Sequence, residues 1–384
     1  MIKIAYLTSW PPRPCGIANF AYDLAMAVDS RKPNFIWKVL AIDDPKGKYK
    51  YDPKRVMHTI KQNDFEDIMN AAEYINQSDI DLLVIQHEFN LFGTGRDGTI
   101  LSFLKKLKKP SVFIMHSIPH PSDKKYINKR KKMDVIQKTS KYVSKIVVMC
   151  NAAKERLVDL YKINPNKIKV IVHGSWEFPK KDKEVIKEKI GFKDSFLLLN
   201  FGFIGKRKGL ETIIKAMPNI VKKYPDVKLV LLGGVNPAFQ SGFKEYLREI
   251  KLIIKNHHIE KNVIFKMGFI PQEEVIKYYQ AADVFLYSNN FKSQISSGPL
   301  TYAIAAGKAI ISTAFTYSED ILKNNHGVLV PIDDHKAMAE ETIKMLKNPK
   351  FIDKMEENNF KLGKKYLWTS VADEYINLFQ KDKK

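Results

Sequence analysis

The chain has 384 residues, long for one ordinary α/β domain and suited to two, and its 45% hydrophobic and 28% charged residues exclude a disordered or fibrous protein. No run approaches the roughly 18 apolar residues of a membrane-spanning helix, the apolar start stops at Pro11-Pro12, and Cys15 and Cys150 form neither a disulfide framework nor a metal-ligand spacing, so a cytoplasmic protein is expected. The net charge of +22 is carried by 56 lysines and eight arginines; lysine lacks the planar fork that reads bases, so the excess points first to solvated helix faces, next to a peripheral contact with an anionic membrane or a polyanionic acceptor, and argues against specific nucleic-acid binding.

Taken in chain order, short runs of Val, Ile, Leu and Phe alternate with stretches of helical period, the pattern of βαβ units and parallel sheets. Strands are expected over 2–8, 81–86, 111–115, 145–149 and 168–172, with helices such as 17–28 and 151–161. The pattern restarts with strands over 196–202, 227–232, 262–266, 283–287, 309–313 and 327–331. The charged, weakly apolar stretch 177–194 reads as a connection. The expected organisation is therefore an N-terminal Rossmann-like domain over 1–176, a linker over 177–194, a C-terminal Rossmann-like domain over 195–350 and a helical segment over 351–384. That last segment carries Trp368, Tyr375 and Phe379 on a common face and can cross back to pack on a domain. Two doubly wound α/β domains of this kind present their strand C-termini, and with them their ligand-binding loops, to a facing cleft.

Three of the eight arginines fall in glycine-bearing loops after strands: Arg13 in 11–18, Arg96 in 92–99 and Arg207 in 202–211. The loop 202–211 opens an amphipathic helix, so its backbone N–H groups and the helix dipole make an anion site to which Lys206, Arg207 and Lys208 add charge, with Gly205 and Gly209 in the turn. Gly16, just before the helix at Ile17, lets a phosphate or sugar approach the backbone. Ser296, Ser297 and Gly298 offer hydroxyls and free N–H groups at another helix start. His87-Glu88 and His116 end strands and suit recognition of sugar hydroxyls or of a leaving group; neither histidine has zinc-ligand spacing. Asp79 and Asp81 precede their strand instead of following it and read as a turn. Each feature alone also has a purely structural reading, as a basic turn, a helix cap or a strand-end histidine; what joins them is that 202–211 and 296–300 follow strands of one sheet.

At these residues the chain resembles the large retaining glycosyltransferase family 4, also called group 1, over nearly its whole length. The likeness is carried in order by PPRPCGIANF, VIQHEFNLFG, the strand-end His116, the VHG at 172–174, KGLETIIKAMPNIVKKYPDVKLVLLGG with Gly234, NVIFKMGFIPQEEVIKYYQAADVFLYS, SGPLTYAIAAGKAIIST, and Ser318-Glu319 before GVLVP. It implies a GT-B fold, a nucleotide-sugar donor held by the C-terminal domain, an acceptor held by the N-terminal domain, and metal-independent transfer with retention and without an enzymic nucleophile. The resemblance makes Lys208 the loop lysine. It departs at Phe203, where the family often has arginine, and at Gln294 and Tyr302, where the family has two glutamates eight apart; Arg207 or Lys206 can replace the lost positive charge.

The expectation is thus a hexosyltransferase moving a sugar from a nucleotide diphosphate to a hydroxyl of a carbohydrate or lipid-linked acceptor, with no cofactor and no metal. His116, Lys208 and Arg207 are assigned to catalysis. Gly16, Gly205, Gly209, Gly234, Gln294, Ser296, Ser297, Gly298, Tyr302 and Glu319 are assigned to the donor, and Arg13, His87, Glu88 and Arg96 to the acceptor. The alternatives are a phosphorylase of the same fold, using the basic loop for inorganic phosphate, and a catalytically silent sugar-binding or scaffold protein.

Overall fold

The computed structural model describes residues 2–45, 47–92, 98–120, 129–235, 242–268 and 270–382, with the backbone alone at Lys129 and Arg207. The chain forms two compact units: Met1–Gly174 with Ser293–Ser296 and Trp368–Lys384, and Ser175–Lys292 with Ser297–Leu367.

The first unit is built on strands β1 (Lys3–Thr8), β2 (Ile36–Asp43), β3 (Val56–Lys61), β4 (Leu82–His87), β5 (Ser111–Met115), β6 (Lys145–Val148) and β7 (Ile168–Val170). They form one sheet in the order β3-β2-β1-β4-β5-β6-β7, parallel throughout. Every residue of β4 and β5 is buried, as expected of near-continuous apolar strands covered on both faces. The sequence reading places no strand between residues 8 and 81, whereas the structure has two. The edge strand β3 buries only Ile60, so its mixed sequence VMHTIK carries no apolar signal; β2 is buried but interrupted by Lys38.

Helices α1 (Gly16–Arg31), α2 (Phe65–Gln77), α3 (Thr99–Lys106), α4 (Lys129–Thr139) and α5 (Asn151–Asp159) flank this sheet. The C-terminal helix Trp368–Lys381 also belongs to this unit and packs on α1, as the common face of Trp368, Tyr375 and Phe379 anticipates; all three are buried. Each such side chain contributes about 1.5–3 kcal/mol by leaving water. Arg31 of α1 clasps Asp373 through Nε and Nη2, at 2.9 and 2.8 Å, on the exposed rim of that contact. Gly174 is fixed by the same helix, since a Cβ there would stand 2.1 Å from the Trp368 indole.

The second unit contains β8 (Leu197–Phe201), β9 (Lys228–Gly233), β10 (Val263–Met267), β11 (Val284–Tyr287), β12 (Ala309–Thr313) and β13 (Val328–Val330), ordered β10-β9-β8-β11-β12-β13 and again parallel. Its helices are α6 (Lys183–Lys189), α7 (Leu210–Lys223), α8 (Phe243–Asn256), α9 (Gln272–Ala281), α10 (Gly298–Ala305), α11 (Thr316–Ile321), α12 (His335–Leu346) and α13 (Pro349–Gly363); the C-terminal helix is α14. The face of α7 formed by Leu210, Ile213, Ile214, Met217 and Ile220 enters a core shared with Met338 and Met345 of α12. The stretch 177–194 is not bare connection: α6 lies within it. Buried Lys187 on that helix pairs with Asp283 at 2.8 Å, and Asp283 also accepts from the backbone N–H of Leu197, tying the charged segment to the start of β8. Among the described residues no helix is long and apolar enough to cross a membrane.

Candidate functional site

In the second unit the chain lays β9 and β10 on one side of β8 and then returns to lay β11 on the other. The loops leaving β8 and β11 therefore diverge from neighbouring strands, and a crevice opens at their C-terminal ends, where ligands of doubly wound sheets bind.

Both loops carry predicted residues, and they are fastened together. Lys206–Lys208 form a single 3-10 turn, after which Gly209 adopts φ +62 and opens α7. That left-handed conformation suits glycine, and a Cβ at this position would meet the Asn290 side-chain oxygen at 2.0 Å. Ser288, the first residue after β11, donates its hydroxyl to the Lys208 carbonyl at 2.8 Å. Asn289 N–H is held by Thr313 Oγ1 at 2.8 Å, and Lys292 pairs with Glu319, so the β11 loop is also pinned to the end of β12 and to α11. Ser297 caps α10 through Leu300 N–H, and Gly298 and Pro299 form its first turn. The N-terminus of α7 has no side-chain cap among the described residues, and with Thr212 N–H turned to the Gly209 carbonyl it leaves the N–H groups of Leu210 and Glu211 and the positive dipole end to a ligand.

The structure thus gathers Gly205, Lys208, Gly209, Ser297 and Gly298 at the ends of β8 and β11, and Glu319 at the neighbouring end of β12. Gly234 directly follows β9 at the same edge. The side chain of Arg207 lies outside the described residues. Tyr302 is nearly buried one turn into α10, stacked on Trp176 at 4.4 Å between ring centroids with planes 22° apart. Ser288, Asn289 and Asn290 are absent from the sequence-based set; the signal available for them was a Ser-Asn-Asn run directly after strand 283–287.

The remaining candidates belong to the first unit. Here β1 and β4 are the neighbours at which the strand order reverses. Gln294 and Ser296, assigned to the donor with Ser297, cluster with His116: Ser117 and Gln294 form a β-bridge, and Ser296 Oγ donates to the His116 carbonyl at 3.3 Å. The His116 ring is buried, has Nε2 2.7 Å from Gln86 Oε1 and meets Phe20 edge-on at 5.0 Å. Burial pushes its pKa down to about 3, with smaller contributions from His173 and His87, so the imidazole is neutral at working pH. His87 is 1% exposed and stacks on Phe113 at 4.7 Å, and neither ring nitrogen has a hydrogen-bond partner among the described residues. It borders a small, partly open void with Phe89, Phe92 and Thr99. Burial lowers its pKa to about 3 as well.

Arg13 is buried, and its guanidinium donates to the Ile42 carbonyl at 2.5 Å and to Gln62 Oε1 at 2.6 Å, so its hydrogen bonds hold the ends of β2 and β3 together. Gly16 is the exposed first residue of α1. Glu88 follows β4 ahead of a 3-10 turn over Phe89–Leu91, and Arg96 lies outside the described residues. Asp79 and Asp81 both serve Lys3, through its ammonium and its backbone N–H respectively. No group of three or more His, Cys, Asp or Glu side chains placed to hold a metal occurs among the described residues.

Two family models match the chain: Glycosyltransferase Family 4 over residues 15–174, and Glycosyl transferases group 1 over residues 182–362. Similar curated proteins include two uncharacterized glycosyltransferases of Methanocaldococcus jannaschii. They are 24% and 25% identical, over 66% and 80% of this chain and 65% and 77% of their own lengths. The alpha-monoglucosyldiacylglycerol synthase of Streptococcus pneumoniae is 26% identical over 66% of this chain and 56% of its own length. The chain therefore spans less than two thirds of the first and third of these relatives. Among solved structures, Anabaena HepE in complex with UDP is similar with a TM-score of 0.77 at 14% identity, covering 99% of this chain and 100% of that one. Sucrose-phosphate synthase from Thermosynechococcus elongatus gives 0.77 at 17% identity, covering 99% of each.

Proposed function

The chain belongs to the glycosyltransferases of group 1 and family 4, and from that premise we propose that it moves a hexose from a nucleotide diphosphate to an acceptor hydroxyl, with retention at the anomeric carbon and without metal. The observation that carries this reading is the bond from Ser288 to the Lys208 carbonyl, which fixes the lysine loop at the strand-order reversal beside the uncapped start of α7. A diphosphate there meets backbone N–H groups, two helix dipoles and the Lys208 ammonium. That preorganised charge stabilises the leaving group as it gains charge, a contribution of several kcal/mol in a site shielded from water. In this reading the departing diphosphate helps to accept the proton of the attacking hydroxyl.

The likeness to HepE makes UDP sugars the first donors to test. A donor panel scored by released nucleotide decides the matter: turnover with at least one nucleotide sugar is expected, and binding without turnover across the panel and a broad acceptor set would leave a sugar-binding protein in its place.

The acceptor is proposed to be a carbohydrate or a lipid-linked glycan, bound by the first unit, with the protein working in the cytoplasm at an anionic membrane surface. In support, α4 leaves Arg130, Lys131 and Lys138 exposed, with exposed Lys141 and Tyr142 just beyond it; Val135 and Ile136 are buried, so the support is electrostatic alone. The relative named alpha-monoglucosyldiacylglycerol synthase gives the same direction. Recovery with anionic vesicles at low salt should exceed recovery with neutral vesicles; equal recovery discards the membrane part.

A further inference from the structure

We propose that the second unit carries a separate binding site for a phosphorylated sugar at the edge of its sheet opposite to the donor crevice. Because the strands are parallel and α11 descends from the C-terminal end of β12, the connection 322–327 lies at the N-terminal ends of β12 and β13. There it meets the last turns of α13, where the buried Asn359 amide donates to the Lys308 carbonyl at 2.7 Å, just before β12 begins. An open surface depression of about 400 Å³ lies at this junction, lined by Asn324, His326, Asn358, Lys361, Leu362 and Lys365. That volume falls in the range of small-ligand sites.

The lining is rich in donors. Asn359 spends both amide hydrogens on carbonyls, at Lys308 and at His326, so its oxygen is the acceptor and His326 Nδ1, 2.8 Å away, carries the proton. The ring is thereby fixed, with Nε2 left for the depression. Lys361 is shared with exposed Glu357 at 2.6 Å, whereas Lys365 has no ion-pair partner among the described residues. Two ammonium groups suit a phosphate, the amides of Asn324 and Asn358 suit hydroxyls, and Leu362 offers an apolar patch to the C–H face of a sugar ring. Inorganic phosphate would satisfy the lysines alone and leave the amides and Leu362 without a partner. The inference stands apart from the donor assignment, since no residue is common to the two sites.

Calorimetry on the full chain with glucose 6-phosphate, glucose and inorganic phosphate tests it. Glucose 6-phosphate should bind more tightly than either of the others. Lys361→Ala combined with Lys365→Ala should weaken that binding at least tenfold, and Lys208→Ala should leave it unchanged. Both lysines are on the surface, so circular dichroism should show the double variant folded. Absence of binding, inorganic phosphate binding as tightly as glucose 6-phosphate, or loss on Lys208→Ala with the double lysine variant unaffected would each overturn the proposal.

Discussion

Ser288 reaches across from the end of β11 to the backbone carbonyl of Lys208 at 2.8 Å, so the lysine loop is shaped by a residue 80 positions away in sequence. The same contact region contains Gly209, whose φ of +62 and proximity to the Asn290 amide leave no room for a side chain. Gly209→Ala should cost about 1–2 kcal/mol for the left-handed backbone alone, with a further loss as Asn290 is displaced. Urea denaturation should show a lower midpoint, and nucleotide affinity should fall more than general stability accounts for. Unchanged nucleotide affinity in a folded Gly209→Ala protein would separate the loop from the donor.

Removing the ammonium of Lys208 tests the charge directly. A charge-assisted hydrogen bond to a shielded phosphate is worth about 1.5–3 kcal/mol, so Lys208→Ala should weaken donor binding by roughly tenfold or more. Turnover should fall further if the contact strengthens as the leaving group gains charge. Arg207→Ala is expected to act in the same direction, because Phe203 stands where the family often has a second cation. Arg13→Ala should leave nucleotide affinity intact, because the Arg13 guanidinium ties Ile42 to Gln62 in the other unit. Normal donor affinity and turnover in both Lys208→Ala and Arg207→Ala would move the donor site elsewhere.

The parts legible in the sequence were those written in local pattern. Apolar runs such as VKLVLL and AIIST are buried on both sides of a parallel sheet and announce themselves; VMHTIK, at an edge, does not. The basic loop was visible because strand, glycine and amphipathic helix follow one another along the chain. Its partner was not, since nothing near Lys208 in sequence indicates that Ser288 will bond to it. The split of 293–297, with Gln294 and Ser296 joining His116 while Ser297 caps α10, is likewise a product of tertiary packing. His87 shows the opposite limit: a strand-end histidine reads as a polar group at a rim, yet here its ring is sealed among Phe89, Phe92 and Phe113.

Activity should persist in excess chelator. In the proposed donor site two helix N-termini and Lys208 would supply the positive potential that a divalent cation would otherwise bring to the diphosphate. Initial rates measured after dialysis against EDTA, with and without added magnesium or manganese, check this. A rate that collapses in chelator and returns with either ion would assign the neutralisation to metal.

The buried histidines of the first unit make its stability sensitive to acid. His87, His116 and His173 have pKa values pushed down by burial to about 3, 3 and 4, against an ordinary value of 6.5. Below 6.5 the unfolded chain takes up protons that the folded chain refuses. Stability is therefore full above that value and declines as pH falls toward the depressed values, by up to about 1.4 kcal/mol per histidine for each pH unit. His87 is the most informative of the three, because both of its nitrogens are buried and without partners among the described residues. Replacing it by leucine removes an unsatisfied polar group, which should raise stability by about 1 kcal/mol at pH 7.5. The same change should flatten the loss between pH 6.5 and 5. Thermal unfolding of wild type and His87→Leu at pH 7.5, 6.0 and 5.0 measures both effects. Parallel curves for the two proteins would mean that His87 is protonated in the folded state, and a destabilised variant at pH 7.5 would mean that its ring nitrogens have partners in solution.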